Sequence, residues 1–154
     1  HNVINIDHSL QYANGHAFVC EEHPEAKQPS VKLNLCEVYK EKAKSAYRKF
    51  TLLNNYTIEV EDEVNLLDAG SKVSWVAGTK ANVEVNGNKA HFMRNGKHFY
   101  MQIIAPAGAV FKTYPAKNTY KGEKTIEGIT MLEAECSFKE TDGKVTIQMS
   151  SKKF

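Results

Sequence analysis

The side chains of this 154-residue chain with most scope for chemistry are six histidines, three cysteines and two groups of interleaved lysines and tyrosines. Four histidines, His1, His8, His16 and His23, fall within the first 23 residues. Neutral imidazole is a common zinc ligand, yet their spacings of 7, 8 and 7 residues match no standard ligand motif. His91 and His98 flank Asn95-Gly96 and are expected to be cross-strand neighbours on a hairpin. Apart from His1, the histidines read as exposed surface residues. Cys20, Cys36 and Cys136 have no C-x-x-C spacing, so a zinc knuckle or thioredoxin-like motif is not expected. Their odd number leaves at least one thiol outside any disulfide within the chain. Cys36 and Cys136 lie within or beside strand-like runs and read as buried structural thiols. No nucleophile elbow, phosphate loop, H-E-x-x-H or calcium loop occurs, and no catalytic residue is assigned.

Basic and aromatic residues interleave twice. Lys44, Tyr47, Arg48, Lys49 and Phe50 form one group, and Lys112, Tyr114, Lys117, Tyr120, Lys121 and Lys124 form the other. Lysine and arginine attract carboxylates and sulfates, and tyrosine faces pack on sugar rings, so either group suits an acidic polysaccharide. Lys112, Tyr114, Lys117, Tyr120 and Lys121 are the candidate substrate-binding residues. The competing reading is an ordinary solvated strand face. A net charge of +2 is too small to argue for nucleic acid. No apolar run approaches the ~18 residues of a membrane span.

The elements that must position these groups are strands. Val31, Leu33 and Leu35 alternate with Lys32 and Asn34. Ile58 and Val60 alternate with Thr57 and Glu59, and Val83 and Val85 with Asn82 and Glu84. The same pattern runs through Phe99–Ile103, Leu132–Phe138 and Val145–Met149. Successive strand side chains face opposite ways, so each run predicts a half-buried strand. Asn86-Gly87, Asn95-Gly96 and Asp142-Gly143 are turn dipeptides that tolerate positive φ. The first two predict a meander, and the third a hairpin joining a long strand near 126–140 to a last strand over 144–150. Residues 20–30 and 105–123 read as loops, with a short strand near 110–113 in the second. Residues 37–50 are rich in helix formers, with Tyr39, Ala43, Tyr47 and Phe50 at helical spacing. A turn near 39–42 followed by a strand over 43–53 is the alternative. Short antiparallel strands at this spacing predict one all-β domain over 1–154, an antiparallel, two-layer, meander-rich β-sandwich.

The opening HNVINIDHSLQ resembles the segment H-N-T-hydrophobic-x-hydrophobic-D-G-x-x-Q of heparinase II/III-like polysaccharide lyases. Val3 and His8 stand where that family has Thr and Gly. AYRKFTLLNNYTIEVEDEV is similar to a family strand pair ending in an acidic run. Trp75 with ANVEVNGNKAHFMRNGKHFYMQIIAP is similar to its W…N-G…R-N-G-K meander. The resemblance spans nearly the whole chain and favours strand over 43–53.

The resemblance implies the C-terminal β-sandwich of a longer enzyme whose upstream α/α toroid cleaves uronate-containing polysaccharide by β-elimination. That reaction needs the uronate carboxylate neutralised, a base for the C5 proton and an acid for the departing O4. The family draws these groups from the toroid, so this chain alone is expected to be inactive. The implied job of the sandwich is to support the toroid and line one side of the cleft. His1 matches a zinc ligand of zinc-bearing members. Its two partner ligands belong to the upstream segment, so the resemblance leaves room for zinc in the full-length parent, and no cofactor is expected in this chain. Asp7 and Gln11 match the motif and are assigned turn and packing roles. Export to the periplasm or medium is implied by the family alone. The alternatives are a free-standing module for acidic glycans and a sandwich with no ligand.

Overall fold

A computed structural model describes residues 3–9, 11–117 and 126–154. Among the described residues, twelve strands form two antiparallel sheets, accompanied by one helical turn. The smaller sheet has the order β1-β6-β11-β10, from Val3–Ile6, Val73–Thr79, Thr130–Cys136 and Phe111–Pro115. The larger has the order β2-β3-β4-β5-β12-β9-β8-β7. Its strands are β2 (Phe18–His23), β3 (Ser30–Asn34), β4 (Ala43–Asn54), β5 (Thr57–Leu66), β12 (Asp142–Ser150), β9 (Lys97–Ala105), β8 (Lys89–Arg94) and β7 (Asn82–Asn86). The expected two-layer sandwich is present.

Alternation decides which side of each strand is dry. On β5, Val60, Asp62, Val64 and Leu66 are buried, while Glu59, Glu61, Glu63 and Asn65 point out. The cross-strand register carries that choice to β12, where Val145 and Ile147 oppose Asp62 and Val60. Across the sandwich, Ile4, Ile6, Val73, Trp75, Leu132 and Ala134 complete the core. The two layers close at one side, where the Phe111 N–H donates to the Gly87 carbonyl at 2.9 Å. At the other side β2 and β3 project as a flange. β2 has no buried residue, and β3 is only half-buried.

Residues 43–54 are strand, and the helical tendency survives only as α1, Cys36–Tyr39. Pairing of this segment with both β3 and β5 outweighs local propensity. Three expectations are corrected. Residues 18–23, partly assigned to a loop, form an edge strand whose full exposure erases the alternation that marks a strand. The strand near 126–140 is confined to 130–136. Asp142-Gly143 makes no hairpin, because β11 pairs with β6 and β10 while β12 pairs with β5 and β9. The chain crosses between layers there, and the Phe138 ring occupies the space a Cβ on Gly143 would need. Asn95 and Gly96, with φ of 51° and 71°, do form the expected two-residue turn. At the other hairpin the turn residues are Gly87 and Asn88, since Asn86 pairs with Lys89.

Candidate binding surfaces

The N-terminal motif is a structural clasp. Asp7 and His8 both have positive φ, 54° and 53°, and form a tight turn after β1 closed by a Ser9 N–H to Ile6 carbonyl bond. Asp and His tolerate this region better than other side chains. One Asp7 carboxylate oxygen accepts the Lys72 N–H at 2.9 Å. The other accepts the Ser71 hydroxyl at 3.0 Å and pairs with Lys42 at 3.3 Å. These donors, the Lys72 N–H foremost, hold the Asp7 carboxyl below its ordinary value of 3.8. Gln11 donates to the Tyr39 hydroxyl at 2.8 Å, and that hydroxyl donates to the Ile4 carbonyl at 2.8 Å. Burial pushes the Tyr39 phenol up to about 12.

A depressed carboxyl stabilises the fold above its unfolded value and loses that contribution as pH falls through the folded value. Asp7→Asn, which also tolerates positive φ, should therefore lower stability at pH 7 and flatten the loss between pH 4 and pH 2. The site is partly solvated, so about 0.5–1 kcal/mol is expected, read from urea midpoints at each pH.

Of the candidate substrate-binding residues, Lys112 and Tyr114 lie on the outward face of β10, and Lys117 is exposed just beyond it. Tyr120 and Lys121 lie outside the described residues, as does His1. Lys112 sits directly opposite Glu133, and burial followed by the Glu133 carboxylate pushes the Tyr114 phenol up. The face is therefore mixed in charge. The other basic-aromatic group does not form one surface. Arg48 and Phe50 share the inner face with Asp62 and Val60, while Tyr47 and Lys49 face outward with Glu63 and Glu61.

On that outer face the register assembles a ladder that period-two reading alone does not reveal. Lys32 pairs with Glu63 at 3.4 Å, and Lys144 pairs with Glu61 at 2.8 Å and Glu63 at 3.8 Å. Gln148 donates to Glu59 and accepts from Gln102, each at 2.9 Å. The ladder is internally neutralised, so it offers little pull on a polyanion. Beyond it, Tyr100 stacks on His91 with ring centroids 4.7 Å apart, and His91 stacks on His98 at 5.1 Å. The two imidazoles share a 2.9 Å hydrogen bond, and Glu84 lies 3.7 Å from the other His91 nitrogen. His91 is directly opposite Tyr100, and His98 is its diagonal neighbour. A cleft of about 390 Å³ opens beside this stack, bounded also by Lys89, Lys153 and Phe154.

Among the described residues, no group of three or more His, Cys, Asp or Glu is arranged to hold a metal ion. A zinc site is therefore not built from them. All three cysteines are free. Cys20 is exposed, Cys36 half-buried and Cys136 buried, and burial pushes the Cys136 thiol up to about 12. No described helix is long and apolar enough to cross a membrane.

No family model matches the sequence, and no curated protein matches it. Solved structures do match its fold. A heparinase III, the BT4657 gene product, superposes with a TM-score of 0.70 at 15% identity, covering 97% of this chain and 23% of that one. A heparan sulfate lyase HepC mutant from Pedobacter heparinus gives 0.75 at 12% identity, covering 97% and 24%. HepC itself gives 0.69 at 10% identity over the same shares. The chain thus spans about a quarter of the length of these lyases. Almost all of this chain folds as one β-sandwich portion of heparinase III and heparan sulfate lyase does.

Proposed function

We propose that this chain is the C-terminal β-sandwich of a heparinase II/III-like polysaccharide lyase, seated against the larger helical body of the same parent and flanking its polysaccharide cleft. The likeness over 97% of this chain, but only about a quarter of the solved lyases, supports the reading most directly. The H-N-x-hydrophobic-x-hydrophobic-D motif at the start agrees with it.

The open side of the sandwich adds a physical reason. The inner face of the eight-stranded sheet continues past the core through Val31, Phe50, Leu52 and Ile58. Among the described residues, nothing in the smaller sheet covers its far end, leaving Val19 50%, Leu52 39% and Ile58 43% exposed. Contiguous exposed apolar surface marks an interaction site in soluble proteins. In this reading the toroid covers that flange. The chemistry of β-elimination then belongs to residues of the parent outside this chain, and any zinc centre using His1 takes its other ligands from there. The parent is exported to meet its polymer.

Two measurements test the proposal. The chain alone should show no new absorbance from unsaturated uronate with heparan sulfate, hyaluronan or alginate, and robust turnover would overturn the reading. Leu52→Asp with Ile58→Asp should leave the isolated chain's unfolding midpoint nearly unchanged but lower that of the full-length parent. An unchanged parent would remove the flange from the interface.

A second reading, a free-standing module for acidic glycans, draws on the shared exposure of Lys112, Tyr114 and Lys117. It requires saturable, salt-sensitive heparin binding that is lost on Lys112→Ala, Lys117→Ala and Lys121→Ala.

A further inference from the structure

The cleft beside Tyr100 combines features that no other described surface of the molecule brings together. Its volume of about 390 Å³ lies within the roughly 300–1,000 Å³ of small-molecule sites. Tyr100 and Phe154 supply apolar ring surface, alongside Val85, Ala90 and Met101. Lys89 and Lys153 border the same space. Among the described residues neither forms an ion pair, whereas Lys32, Lys42 and Lys144 all do. The one carboxylate among the lining side chains, Glu84, faces a nitrogen of His91. His91 is held on both sides, by the stack on Tyr100 and by the hydrogen bond to His98, so the Tyr100 ring is supported from behind. A preorganised aromatic wall flanked by two uncommitted ammonium groups fits one ligand chemistry: an anionic group attached to a compact ring. The ring's C–H face packs on Tyr100, and the anion takes charge-assisted hydrogen bonds from lysine.

We propose that this cleft binds a small cyclic monocarboxylate, either a sugar acid or an aryl acid. Neither Lys112 nor Tyr114 lines this cleft, and the proposal does not depend on the lyase reading.

The test follows backbone amide and His91 and Tyr100 ring resonances by NMR during titration with glucuronate, benzoate, glucose and inorganic sulfate. The expected result is saturable shifts around the cleft with glucuronate or with benzoate, whichever binds naming the source of the ring. Lys89→Gln, Lys153→Gln and Tyr100→Ala should each weaken binding by about tenfold, the scale of one lost charge-assisted or stacking contact. Tyr100→Phe should retain the affinity, which separates loss of the ring from loss of the fold. The proposal is overturned if neither carboxylate gives saturable shifts there. It is overturned equally if glucose or sulfate binds as tightly as the better carboxylate, or if the lysine and Tyr100→Ala variants bind like the parent sequence.

Discussion

Arg48→Ala or Asp62→Ala should each destabilise the sandwich by about 3–5 kcal/mol, seen as a large fall in the urea midpoint. The two side chains sit opposite each other on β4 and β5, both turned toward the core. Arg48 donates to both carboxylate oxygens, at 2.6 and 2.8 Å, and Asp62 is only 1% exposed. Burial pushes the Asp62 carboxyl up, and the Arg48 guanidinium opposes that push. Removing either partner leaves the other desolvated with its main bond gone, which is why single truncations are costly. Replacing both together, Arg48→Met with Asp62→Leu, should recover most of the loss, since an apolar pair of similar volume needs no compensation. If the double variant were as unstable as the singles, the pair would have a packing role beyond its charges. Its position is informative too, because it stands where the closed core gives way to the open flange of Val31, Phe50, Leu52 and Ile58.

Trp75→Ala should cost a similar amount, about 3–5 kcal/mol, while Trp75→Phe should cost far less. Trp75 is 2% exposed on the central β6, flanked in register by Ile4 and Ala134. Truncation to alanine leaves a cavity between two sheets whose backbones are tied by their ladders and cannot close on it. The indole N–H, however, has no hydrogen-bond partner among the described residues. A buried donor left unpaired is itself unfavourable, so phenylalanine gives back part of what its smaller ring loses. Thermal and urea unfolding of both variants, followed by far-ultraviolet circular dichroism because this is the chain's one tryptophan, measures the gap. Equal losses for the two variants would show that shape matters here and the orphan donor does not.

Much of the architecture is legible in the amino-acid sequence itself. Alternation in Thr57–Val60, Phe99–Ile103 and Val145–Met149 reports half-buried strands because a pleated chain must turn successive side chains to opposite faces. Asn95-Gly96 reports its hairpin because both residues accept positive φ. The opening motif pointed toward the lyase sandwich, and Asp7 and Gln11 hold the turn and packing positions assigned to them. What stayed hidden has a common cause. β2 is exposed throughout, so it leaves no pattern to read. Asp142-Gly143 has hairpin chemistry, yet whether β11 and β12 pair depends on which sheet each one joins. The basic-aromatic run Tyr47–Phe50 looks like one surface in sequence, but the pleat sends its members to opposite sides.

Local residue types thus determined that this chain forms strands, where several of them turn, and which side of the alternating ones is dry. Tertiary structure alone decided partnership. It set Arg48 against Asp62 and Lys144 between Glu61 and Glu63, and it left β2 and β3 standing clear of the second layer. Period-two patterning carries information along one strand, whereas register and layer are relations between strands far apart in the chain, fixed only when the whole sandwich closes.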